Sequence, residues 1–130
     1  MRRVVWIVAV SAVVLMHSLG WAETYTPTGT VVEASYTEPT TNKTGTPLAD
    51  LGKTTVYYDL GAGPVAAVET PASAPTGGGS KTVSVTVPIG PDQEAAVRFW
   101  VTATDTSGNQ SEPSVGATKR LDRLAPAPPQ

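Results

Sequence analysis

The chain of 130 residues has no cysteine, which excludes a disulfide framework, a thiolate metal site and a lipid-modified cysteine anchor. It has one histidine, His17, and one phenylalanine, Phe99. Charge is sparse, at 15% of residues, and slightly acidic, with a net charge of −2. It has no basic run of the kind that tracks nucleic acid. No apolar run reaches the roughly 20 residues of a membrane span. The longest, Val4 to Leu19, is broken only by Ser11, His17 and Ser18.

That run follows the basic start Met1-Arg2-Arg3 and precedes Gly20-Trp21-Ala22, with small residues at −3 and −1 of a cleavage site. This is the layout of a secretory signal peptide, residues 1–22, cut after Ala22. An uncleaved membrane anchor is the rival reading, and Arg2-Arg3 alone is weak evidence for twin-arginine export. Cleavage removes His17 and two cations, leaving 7 Lys+Arg against 11 Asp+Glu and a net charge of −4. The mature chain then has neither imidazole nor thiol, so the commonest general base, metal ligand and nucleophile are missing. The expected address is secreted, periplasmic or cell-surface. Membrane contact would come only through an uncleaved leader.

Glycine and proline, at 12 each, supply many turn signals between short apolar-alternating runs. Val97, Phe99, Val101 and Ala103 alternate with Arg98, Trp100, Thr102 and Thr104, so the first set shares one face of a strand. Asp105 then opens a polar turn with Gly108 and Asn109, before Pro113. Strands are expected over Thr30 to Tyr36, Thr54 to Leu60, Val65 to Thr70, Lys81 to Val87 and Val115 to Leu121. Thr37 to Gly52 is a long connection whose Leu48 and Leu51 tuck into the core rim. Residues 124–130 are too proline-rich to join a sheet. No helical periodicity follows the leader, so the pattern argues an all-β sandwich over residues 23–123.

The run from Val97 to Ser114, Val-x-Phe-x-Val-x-Ala-x-Asp-x-x-Gly-Asn-x-Ser-x-x-Ser, resembles the F strand and F–G turn of fibronectin type III domains, especially bacterial secreted ones. Glu38-Pro39-Thr40-Thr41-Asn42 with Gly45-Thr46-Pro47-Leu48 resembles the family's B–C connection, and Thr54 to Tyr58 its C strand. The resemblance covers roughly Thr30 to Leu121. Tyr36 stands where the family has a B-strand tryptophan, and Val97 where it has a corner tyrosine. The resemblance implies an immunoglobulin-like sandwich. It also implies that the loops Thr37–Gly52 and Thr104–Pro113 share one end. Little chain precedes Thr30, so the first strand is expected to be short or missing, with a sheet edge left open along Thr30–Tyr36.

Candidate binding residues are few. Trp100 should face away from the core beside Tyr57, as an exposed pair able to stack on a sugar or anchor a protein; the alternative is packing under polar side chains. Asp105, Asn109 and Glu112 offer oxygen ligands, but their spacing is not that of a calcium loop, and Asp105 suits a turn cap. Asn42-Lys43-Thr44 and Asn109-Gln110-Ser111 match the glycosylation sequon. Gly77-Gly78-Gly79 lacks the lysine and hydroxyl of a phosphate loop and reads as a flexible turn. Glu33, Glu38, Asp50, Asp59, Asp92 and Glu94 show no paired pattern for acid–base work. The expectation is therefore a non-catalytic, exported binding module without cofactor or metal. It would contact a protein or cell-envelope polysaccharide through its loops. The alternative is a structural subunit of an envelope assembly joined by edge-strand pairing.

Overall fold

A computed structural model of the chain describes residues 23–27 and 29–130. The leader, Met1 to Ala22, lies outside the described residues. Seven strands follow in order: β1 (Glu23–Thr26), β2 (Gly29–Thr37), β3 (Leu51–Asp59), β4 (Pro64–Pro71), β5 (Ser80–Val87), β6 (Glu94–Asp105) and β7 (Ala117–Asp122). They form two antiparallel sheets, ordered β1-β2-β5 and β4-β3-β6-β7. The fold is an all-β sandwich.

The inward residues follow the period-two pattern. Val32, Ala34 and Tyr36 of β2, with Val85 and Val87 of β5, meet Val56 and Tyr58 of β3 and Val97, Phe99 and Val101 of β6. Leu121 of β7 closes this core, and Val83 packs at its margin. Tyr36 is buried, and its hydroxyl hydrogen-bonds the Thr54 hydroxyl at 2.6 Å. Burial pushes the Tyr36 pKa above its usual 10.0, while bonds to Thr54 and Thr70 pull the other way. A second, smaller cluster of Leu48, Leu51 and Ala103 lies at the rim, as expected.

The first strand is present and short, the first of the two expected alternatives, and it covers the β2 edge only as far as Val32. Strand β1 pairs from Glu23↔Val32 to Thr26↔Gly29. Pro27 lies in the hairpin turn, and Gly29 opens β2 opposite Thr26. The Thr26 hydroxyl bridges the turn, accepting from the Gly29 N–H at 3.1 Å and donating to the Gly29 carbonyl at 2.8 Å. The Glu23 carboxylate then reaches across the sandwich to the Lys119 ammonium, 2.6 Å away.

The last strand begins at Ala117, two residues later than expected, and Val115 is exposed. The reason lies in the two serines of the Gly-Asn-x-Ser-x-x-Ser motif. Strand β7 pairs only with Glu94 to Phe99 of β6. Above that point, Ser114 donates its N–H to the Val101 carbonyl (2.9 Å), and its hydroxyl accepts the Val101 N–H (2.8 Å). Ser111 treats Ala103 in the same way, at 2.7 and 2.9 Å. Each serine thus replaces one bonded pair of a strand ladder, satisfying buried backbone groups where no strand runs.

Candidate functional site

The long β2–β3 loop and the β6–β7 loop meet at one end of the sandwich. A hydrogen bond from the Thr106 N–H to the Asp50 carbonyl (2.9 Å) joins them. Between them lies a shallow cavity of about 20 Å³, room for roughly one water. Pro39, Asn42, Leu48, Leu51, Asp105 and Asn109 are among its lining residues.

Three of the sequence-derived candidates, Asn42, Asp105 and Asn109, therefore come together. Each is held in place. The Asp105 carboxylate accepts the N–H groups of Ser107 and Asn109 through Oδ1 and the Asn109 side-chain amide through Oδ2, all at 2.9 Å. Gly108 supplies the left-handed residue of this turn, at φ +91°. Asp105 is a turn cap, and the described residues hold no group of three acidic or histidine side chains placed for a metal. Asn42 spans its own small hairpin, where Thr41 bridges to Pro47. Its side-chain amide donates to the Thr46 hydroxyl at 3.0 Å and the Pro47 carbonyl at 3.3 Å. Lys43 is exposed at the tip of that hairpin.

The loop end has an anchor that local sequence reading misses. Glu38 is 2% exposed. Its carboxylate accepts the Ser73 N–H (2.9 Å) and the Gly79 N–H (3.0 Å), and the Lys81 ammonium lies 3.7 Å away. Its own N–H donates to the Gly79 carbonyl. These partners are 35 and 41 residues distant in sequence, so no local pattern announces them. The glycine run packs against the same loop. A Cβ on Gly77, at φ +69°, would sit 1.8 Å from the Pro39 carbonyl oxygen. The run lies at a turn, as expected, and adds a close backbone contact with Pro39.

Tyr57 and Trp100 lie elsewhere, on the outer face of the four-stranded sheet. They are cross-strand partners, stacked with centroids 5.6 Å apart and planes 6° from parallel. The Arg98 guanidinium lies over the Trp100 ring at 5.1 Å. Trp100 is consequently only 8% exposed, so of the two readings the structure has the one in which it packs under a polar side chain, and not the exposed pair. Gln110 folds down from the β6–β7 loop and donates to the Tyr57 hydroxyl (3.0 Å) and the Thr102 hydroxyl (2.9 Å). The aromatic pair is thus tied to the loop end through one side chain. Comparison with protein-family models, with curated proteins and with solved structures finds no match to this chain.

Proposed function

We propose that the chain is a non-catalytic, exported binding module of the fibronectin type III type. It contacts a protein or a cell-envelope polysaccharide through the loops at the Glu38 end. The observation that carries this reading is that two sequence-distant loops form one braced surface. Glu38 fixes the floor, Asp105 and Asn42 fix the two tips, and Thr106 joins them. A surface ordered before contact loses less conformational entropy on binding. The strand order supports the family reading. In immunoglobulin-type sandwiches the first, second and fifth strands share one sheet and the third, sixth and seventh the other. Here β1-β2-β5 and β3-β6-β7 divide that way, with β4 beside β3.

Capture from envelope protein and polysaccharide fractions of the source organism tests the proposal. An Asn42→Ala/Lys43→Ala double variant should lose most of the capture, while Glu69→Ala, on β4, should retain it. Equal capture by both variants would remove the loop reading.

A further inference from the structure

In this sandwich three strands face four. The Glu23–Lys119 ion pair ties β1 to β7 along one side. The other side is formed by β5 and β4, which approach each other across the layers and carry no strand on their outer edges.

Two independent observations meet on that side. The first is an open edge. Paired residues of antiparallel strands alternate between bonded and non-bonded pairs. The Glu38 N–H bond to the Gly79 carbonyl continues the β2–β5 register, so Tyr36↔Lys81, Ala34↔Val83 and Val32↔Val85 are the bonded pairs. Thr82, Ser84 and Thr86 then direct their N–H and C=O groups away from β2, and no described residue takes them. The second is an uncovered floor. Val65 and Val68 of β4 pair with Tyr58 and Val56, both core residues, and so face the same layer. Val65 is nevertheless 43% exposed, and Val68 is only partly buried.

The two neighbouring edges differ in protection. Strand β4 carries Pro64 and Pro71 at its ends and a bulge at Ala67, three devices that blunt an edge. Strand β5 has no proline and no register shift over eight consecutive pairs.

We propose that this lane receives an extended segment of a partner protein, added to β5 as a fourth strand. The lane's charges decide the segment's chemistry. The only ionised groups on β4 and β5 are Glu69, paired with Lys53 at 2.8 Å, and Lys81, beside Glu38. A neutral lane with valines beneath suits about six residues of alternating small apolar and small polar type, without proline. This inference stands apart from the loop reading and does not depend on it.

The test uses the full chain and a terminally blocked peptide of alternating valine and threonine, seven residues long. Fluorescence anisotropy measures binding, and amide exchange by NMR locates it. In the free protein the amides of Thr82, Ser84 and Thr86 should exchange rapidly while those of Val83 and Val85 are protected. The peptide should slow the first three by about tenfold or more. Ser84→Pro, which removes an outward N–H and puts a ring in its place, should weaken binding by about fivefold or more, as loss of one hydrogen bond alone implies. Val65→Lys, which leaves β5 untouched, should weaken it similarly, and Asn42→Ala/Lys43→Ala should leave it unchanged. The proposal fails if the three amides are already protected, or if the peptide does not bind at millimolar concentration. It also fails if neither variant weakens binding. Concentration-dependent dimerisation that protects the same amides would replace the partner segment by a second copy.

Discussion

Strand β6 passes through two regions that are held by different physics. From Ala95 to Val101 its inward side chains lie in the main apolar core, and β7 pairs with the lower part of its edge. From Val101 to Asp105 the apolar content shrinks to the cluster of Leu48, Leu51 and Ala103, and the outer edge is closed by two serine hydroxyls. The middle is stabilised by area removed from water, a non-directional effect that tolerates changes of shape. The loop end is stabilised by oriented hydrogen bonds to buried groups, where loss of one acceptor leaves a donor unsatisfied. The binding surface proposed above sits on the second kind of foundation.

The sharpest way to break this contrast is Phe99→Ala. It empties the centre of the apolar region and should cost about 3–5 kcal/mol. Chemical denaturation should show the whole domain losing stability together. Glu38→Gln should come next, at about 2 kcal/mol, because one of the two backbone N–H groups then meets an amide NH2 instead of an oxygen. Amide exchange should show the loss concentrated near Ser73 and Gly79. Uniform acceleration across β2 and β6 would instead mean that the two regions unfold as one.

Ser114→Ala leaves the Val101 N–H without its hydroxyl acceptor and should cost about 1–2 kcal/mol. Thermal melting measures it, and the β6–β7 pairing at Glu94 to Phe99 should be unaffected. The smallest effect is a pH dependence. Burial raises the Tyr36 pKa above 10.0, so the folded state retains the phenolic proton longer than the unfolded state does. Its contribution is fully present below about pH 10 and is lost as pH rises through the folded-state pKa. Tyr36→Phe should flatten the alkaline limb of the stability curve. An unchanged limb would assign it to other groups.

The alternating residues of β2, β5 and β6 were readable because burial on one face writes a period of two into the chain. Val97, Phe99 and Val101 illustrate it. The Asp105 cap was readable for a related reason: its partners lie within four residues. What could not be read depends on distance along the chain. Glu38 looks like an ordinary loop carboxylate until Ser73 and Gly79 are brought to it. Trp100 sits on the outer face as its register requires, yet its burial depends on Arg98, two residues away, and on Tyr57, on another strand. Strand β1 was left open between short and missing because Pro27 and Gly29 signal a break and a hairpin turn equally well. Asn42, Asp105 and Asn109 were identifiable as turn residues. That their two loops share one end is what the resemblance implied, and the cavity between them forms there.

The serine clamps leave the segment between them and Asp105 with little to do for the strands. Thr106 to Gln110 hangs from a capped turn on one side and a hydroxyl-locked backbone on the other. Register is set below that segment, while the cap on Asp105 and the Thr106–Asp50 bond fix its length. A residue inserted between Ser107 and Gly108 should therefore undo the cap and loosen the rim of the cavity while the serines keep the strands in step. The turn works as a fuse: it can fail without taking the sandwich with it.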